Sequence, residues 1–242
     1  MITTSRIKWT KQDIITAQPP TSTRTYKAIS HGSIINTLSE ELDREGFGVT
    51  SEYYLSTANR AVVVGHLMLN VSTDSELKFE VGFLNSYNKT KRAVVAGGSQ
   101  VIVCENGHIL GDISYGAFKK KHVGNADVEI VEFIREMVKR AHDCFDVLIK
   151  QKNRMKEIEV SRKVRNELIG QLYLEDAIIS ETQISIIRKE ITKSSFDYNT
   201  DPNSLWQIYN NVTVGLKSTH PSKWIQNHQS LNRIINEQFQ LV

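Results

Sequence analysis

The strongest constraint on this chain is the way its hydrophobic period changes along it. Phe47, Val49, Tyr53 and Leu55 fall on alternate positions, and so do Leu77, Phe79, Val81 and Phe83, with Lys78 and Glu80 between them. That is the period of a strand with one buried face. From about Asp127 the spacing becomes helical: Ile130, Ile134, Met137, Ala141, Cys144 and Leu148 recur at three- and four-residue steps. Strands grouped first and helices grouped later predict an α+β fold rather than an alternating, parallel one. The expected organisation is a flexible N-terminus over 1–22, an α+β core over 23–122 and a helical region over 123–242 packed on that core.

Local signals sharpen the outline. Ser30 followed by Ile34, Ile35, Leu38 and Leu42 predicts a capped helix, closed by Gly46 and Gly48. Ala61 to Val71 is β-branched and dense, and short links on either side predict an antiparallel meander. Gly97-Gly98 suggests a bulge or a close backbone approach. Asn106-Gly107 is the pair favoured in a type I′ turn, which would join Val101–Cys104 to His108–Leu110. Later helices are expected over about 160–173, 181–193, 202–217 and 221–239. Ser180 and Gln183 fit a capping box, and Asp201-Pro202 fits a cap with proline at the first helical position. Leu205, Trp206, Tyr209 and Val212 share one helix face and are expected in the core, with Asn210 and Thr213 pinning that helix.

Several function classes find no support. No run approaches the ~20 apolar residues of a membrane helix, and Met1 to Ala17 has no apolar core of a signal peptide. Cys104 and Cys144 fit no metal spacing and read as free thiols in a reducing, cytoplasmic compartment. The seven histidines form no metal signature. Gly97-Gly98-Ser99 lacks the lysine of a phosphate loop, and Ser99 lacks the setting of a nucleophile elbow. Glu40, Glu41, Asp43 and Glu45 are expected on the solvent face of their helix. The chain is therefore read as not an enzyme, with no metal and no cofactor.

Charge is more informative in its distribution than in its sum. The net is +3, but basic and acidic segments alternate, which can build a positive groove under a near-neutral total. Lys89, Lys91 and Arg92 follow Asn85, Ser86 and Tyr87 within one short run. Cations neutralise phosphates, amides and hydroxyls hydrogen-bond a strand, and an aromatic ring offers a stacking face. Lys119, Lys120 and Lys121, behind Tyr115 and Phe118, repeat the combination, as do Arg24, Tyr26 and Lys27.

Three stretches carry a family resemblance: RTYKAISHGS at 24–33, NSYNKTKRAVVAGGSQVIVCENGHILGD at 85–112 and LWQIYNNVT at 205–213. In this order they resemble the phage- and plasmid-borne family called domain of unknown function 932. The resemblance implies a mobile-element context in a bacterial host cell and no assigned activity. The order helix, three-stranded meander, helix is also that of single-strand annealing recombinases, an analogy at the level of fold.

The first expectation is a single-stranded DNA- or RNA-binding protein of a phage or plasmid, related to recombination or annealing and working as a homo-oligomer. In it Lys89, Lys91 and Arg92 contact phosphates, Tyr87 stacks and Asn85 and Ser86 position the strand. Lys119, Lys120, Lys121, Arg24 and Lys27 extend the groove. The alternative is an interaction module acting on a host protein through the seam Ile130–Leu148 and the aromatic C-terminal helix.

Overall fold

A computed structural model describes residues 7–71, 73–103, 106–109 and 117–241. Among the described residues seven strands form one antiparallel sheet: β1 (Ile7–Trp9), β2 (Val49–Ser56), β3 (Val62–Leu69), β4 (Leu77–Ser86), β5 (Ala93–Val101), β6 (Asn106–Ile109) and β7 (Ala117–Lys120). Their order is β1-β2-β3-β4-β5, and β6 and β7 pair with opposite halves of the far edge of β5. The helices are α1 (Lys11–Ile15), α2 (His31–Arg44), α3 (Ala126–Lys139), α4 (Ala141–Glu157), α5 (Arg162–Leu174), α6 (Glu181–Thr192), α7 (Leu205–Leu216) and α8 (Pro221–Phe239). The α+β class and its segregated order follow the hydrophobic period.

Alternation in the central strands decides the layers. Phe79, Val81 and Phe83 of β4 enter the main core with Val63 and Leu67 of β3 and Val95 of β5. Ile34, Ile35, Leu38 and Leu42 of α2 and the apolar faces of α3, α4 and α7 close over them. The opposite face of the sheet carries Val64, Leu84, Val94 and Ala96, covered by Ile225 and Trp224 of α8. Gly65 lies where the Phe83 and Tyr54 rings cross β3, and a Cβ there would collide with both. Helix α7 is buried on nearly every side, the mark of a central helix. Trp206 and Tyr209 stack inside it, and the Asn210 amide and Thr213 hydroxyl donate back to the carbonyls of Trp206 and Asn210. The long β3–β4 connection is tied to α4 by Lys152, whose nearly buried ammonium meets Asp74 at 2.6 Å and Glu76 at 2.9 Å.

Several expectations change. Residues 7–17 are not a free extension: β1 adds to the sheet edge, Thr10 caps α1 through a capping box, and Ile14 is fully buried. Strand β5 runs without a bulge through Gly97 and Gly98. Asn106 and Gly107 do not turn the chain, because they already pair with Val101 and Gln100 in β6; the reversal comes earlier, after Val101. Cys104 and Leu110, named in that hairpin, lie outside the described residues. The cap of α7 is Ser204, while Asp201 accepts the Asn203 amide in a preceding turn. The seam Ile130–Leu148 is split at Arg140 between α3 and α4, and its apolar residues are inside the core. Glu41 is also buried, held by Arg44 and by Arg135 of α3. The Ser180–Gln183 capping box is present at α6 as expected.

Candidate nucleic-acid interface

One end of the sheet collects segments that are far apart in the chain. Strand pairing starts it: Val62 of β3 faces Ser86 at the end of β4, and Ala93 at the start of β5 faces Lys120 at the end of β7. The β4–β5 turn over 87–92 and the segment leaving β7 are therefore neighbours. The third segment joins through a tight reversal at Thr23 and Tyr26. The Tyr26 hydroxyl donates to the carbonyls of Ser86 and Tyr87 at 3.3 and 3.1 Å. The Lys27 amide donates to the His122 carbonyl at 3.0 Å. Lys89, held at a left-handed φ of 64°, places its ammonium 4.7 Å from the centre of the Tyr26 ring. Lys91 and Arg92 turn the other way and line a shallow recess against Leu84, Val94 and Ile225.

Not every cation at this end is available to an outside anion. Lys27 pairs with Asp127 at 2.8 Å, and Lys120 pairs with Glu129, both acids lying in the first turn of α3. The Lys27 hydrogen bond holds the Asp127 carboxyl below its ordinary range. Arg24, Lys89, Arg92 and Lys121 are exposed. Lys119 pairs through its backbone with Val94, and its side chain lies outside the described residues. Arg60, in the β2–β3 turn at the same end, was missed by the sequence reading. Its guanidinium donates to the Asp13 carbonyl at 3.0 Å and sits 5.4 Å from the centre of the Trp9 ring. A lone arginine in a turn gives no local signal.

Beneath these cations lies a buried polar floor. Asn85 is fully buried; its amide nitrogen donates to the Ile29 carbonyl at 2.7 Å and lies 2.9 Å from His31 Nδ1. His31 Nε2 lies 3.0 Å from the Arg60 carbonyl. The Arg60 carbonyl can only accept and the Asn85 amide nitrogen can only donate, so the partners fix a neutral imidazole with its proton on Nε2. Burial lowers the His31 pKa to about 4, against the partial support of the Arg60 carbonyl. His122, also buried, accepts the Ile29 amide on Nδ1 at 3.1 Å, and burial lowers its pKa too. The Tyr87 hydroxyl accepts the His31 amide at 2.9 Å and donates to the Ala17 carbonyl.

Three proposed strand contacts are corrected by this floor. Asn85 cannot position a strand from inside the core, because β4 continues through Ser86 and turns its side chain toward His31. Ser86 is buried as well, its hydroxyl donating to Asn88 Oδ1 at 2.7 Å. Tyr87 is half-buried with one ring face packed on His31, so it is not a freestanding stacking platform. These residues shape and hold the turn that displays Lys89, Lys91 and Arg92. His31 and His122 were not singled out from sequence, though His31 sits inside the RTYKAISHGS motif.

No helix among the described residues is long and apolar enough to cross a membrane. A family model described as Domain of unknown function (DUF932) matches residues 21–235, the family to which the three motifs pointed. No curated protein and no solved structure matches the chain.

Proposed function

The chain belongs to the DUF932 family, and on that footing we propose that it binds single-stranded nucleic acid across the basic end of its sheet. The observation that carries this reading is the convergence of three basic tracts, Arg24–Lys27, Lys89–Arg92 and Lys120–Lys121, at one sheet end. Tracts that only solvated the surface would have no reason to gather there. Lys89, Lys91 and Arg92 contact phosphates, with Arg24 and Lys121 extending the track. A phosphate-led interface of this kind is sequence-tolerant. It suits a phage or plasmid protein that handles single strands in the cytoplasm of a bacterial host during recombination or annealing, as a homo-oligomer. The host-protein module is the weaker reading, since the seam and the aromatic helix that were to carry its contacts are core.

The test is fluorescence anisotropy with labelled single- and double-stranded oligonucleotides at two salt concentrations. Wild-type affinity for the single strand falls with salt. In the variant Lys89→Ala/Lys91→Ala/Arg92→Ala the slope of log affinity against log salt shallows by about 2, near 0.7 for each phosphate no longer neutralised. A triple variant that melts like wild type and keeps the wild-type slope removes this interface.

A further inference from the structure

Beyond the turn, on the side of Lys91 and Arg92, the surface opens into a cleft of about 580 Å³. It is bounded by the α5–α6 loop, the first turn of α6, the α7–α8 loop and the first half of α8. Lys91 lines both this cleft and the shallow recess beside Arg92, so the basic turn runs into it without a break. Lys223 lines it from α8 and is exposed. Hydroxyls and amides make up much of the wall, among them Thr182, Gln226 and Asn227.

The cleft is built before any ligand arrives. The Gln183 amide donates to the Thr219 hydroxyl at 2.9 Å, bridging the first turn of α6 and the α7–α8 loop, while Gln183 Oε1 accepts the Ser180 amide at 2.8 Å. The Asn227 amide donates to the Ile178 carbonyl at 2.8 Å and fixes α8 against the α5–α6 loop. Below, Gly215 lets α7 approach Ile187 of α6 so closely that a Cβ would strike its side chain. Rigid walls reduce the ordering cost of binding.

We infer that this cleft receives one nucleotide of the bound strand, its phosphate held between Lys91 and Lys223 and its base against the hydroxyl and amide wall. This rests on the proposed function and specifies where the strand goes after the turn. The volume falls within the ~300–1,000 Å³ of ordinary small-ligand pockets. A nucleotide needs what the cleft supplies: cations at the mouth for phosphate, and donors and acceptors inside for base and sugar. Among the described residues Asp176 is the one carboxylate in the lining; it accepts from Gln171 and can accept a hydrogen bond from a base. A base drawn into this wall is read by hydrogen bonds in addition to charge.

The experiment compares oligothymidylate with the same strand carrying abasic sites, against wild type, Lys223→Ala, Gln226→Ala and Lys89→Ala/Arg92→Ala. Lys223 and Gln226 are exposed, and unchanged melting shows that their variants fold. Lys223→Ala is expected to weaken single-strand binding roughly tenfold, the size of one charge-assisted hydrogen bond. Abasic substitution weakens wild type by several-fold and leaves Gln226→Ala unaffected. Wild-type affinity in Lys223→Ala, with binding lost in Lys89→Ala/Arg92→Ala, overturns the cleft alone and leaves the basic end standing. An equal abasic penalty in wild type and Gln226→Ala also overturns it. If Lys89→Ala/Arg92→Ala binds like wild type while Lys223→Ala does not, the cleft stands and the basic turn falls.

Discussion

The ring of Tyr87 lies on the imidazole of His31, centroids 3.7 Å apart and planes 19° from parallel. The two residues come from the start of the β4–β5 turn and the first turn of α2, and their contact locks the basic turn to the helix layer. The Tyr87 hydroxyl accepts the His31 amide, and the Asn85 amide meets the same imidazole at Nδ1. A polar surface turn would otherwise be loose, and charges on a loose turn lose entropy when they bind. The floor therefore serves the interface indirectly, by fixing where Lys89, Lys91 and Arg92 stand.

Removing the Asn85 amide should test that support. Asn85→Ala deletes one buried donor and leaves the Ile29 carbonyl and His31 Nδ1 without it. The expected loss is about 2 kcal/mol of stability, measured as a lower urea midpoint at an unchanged slope. Nucleic-acid affinity, measured well below the melting temperature, should fall only modestly. A fully stable Asn85→Ala protein would show that the floor does not hold the turn.

Stability should also depend on pH in a defined window. His31 is neutral in the fold with a pKa near 4, against an ordinary value of 6.5. The unfolded chain takes up its proton first as pH falls, so the contribution is present above about 6.5 and is lost as pH drops toward 4. The span corresponds to about 3 kcal/mol. His122 shifts in the same direction. Urea titrations at pH 7 and pH 5 should show a clear loss in wild type and a smaller one in His31→Gln. An identical loss in both proteins would assign the effect elsewhere.

The ion pairs of α3 should restrain binding. Asp127 holds Lys27 and Glu129 holds Lys120 at the margin of the interface. Asp127→Asn/Glu129→Gln keeps the shapes and releases both lysines. Single-strand affinity at low salt should rise, and the salt slope should steepen by about 0.7 for each lysine that then meets a phosphate. A slope equal to wild type would place both lysines outside the strand's path.

Much of the fold was legible because it is written in short-range terms. The change of period placed β2, β3 and β4 and the later helices, and Ser30 and the Ser180–Gln183 box marked true helix starts. Misreadings arose where two local signals competed. Asn106-Gly107 has the composition of a turn, yet pairing with Val101 and Gln100 outweighs that preference. Glu41 lies on the expected solvent face of α2 until α3 brings Arg135 against it at 2.9 Å.

The sequence by itself determined the class of the fold, the order of its elements and the chemical character of three basic tracts, since period, caps and composition are properties of neighbours in the chain. Only the tertiary structure decided that these tracts share one sheet end, that Asn85 and Tyr87 face inward, and that Lys27 and Lys120 are already paired. The physical reason is range. Pairings such as Asn85 with Ile29, or Ala93 with Lys120, join residues distant in the chain, and their cost and gain are settled by burial and strand register. No local pattern encodes either.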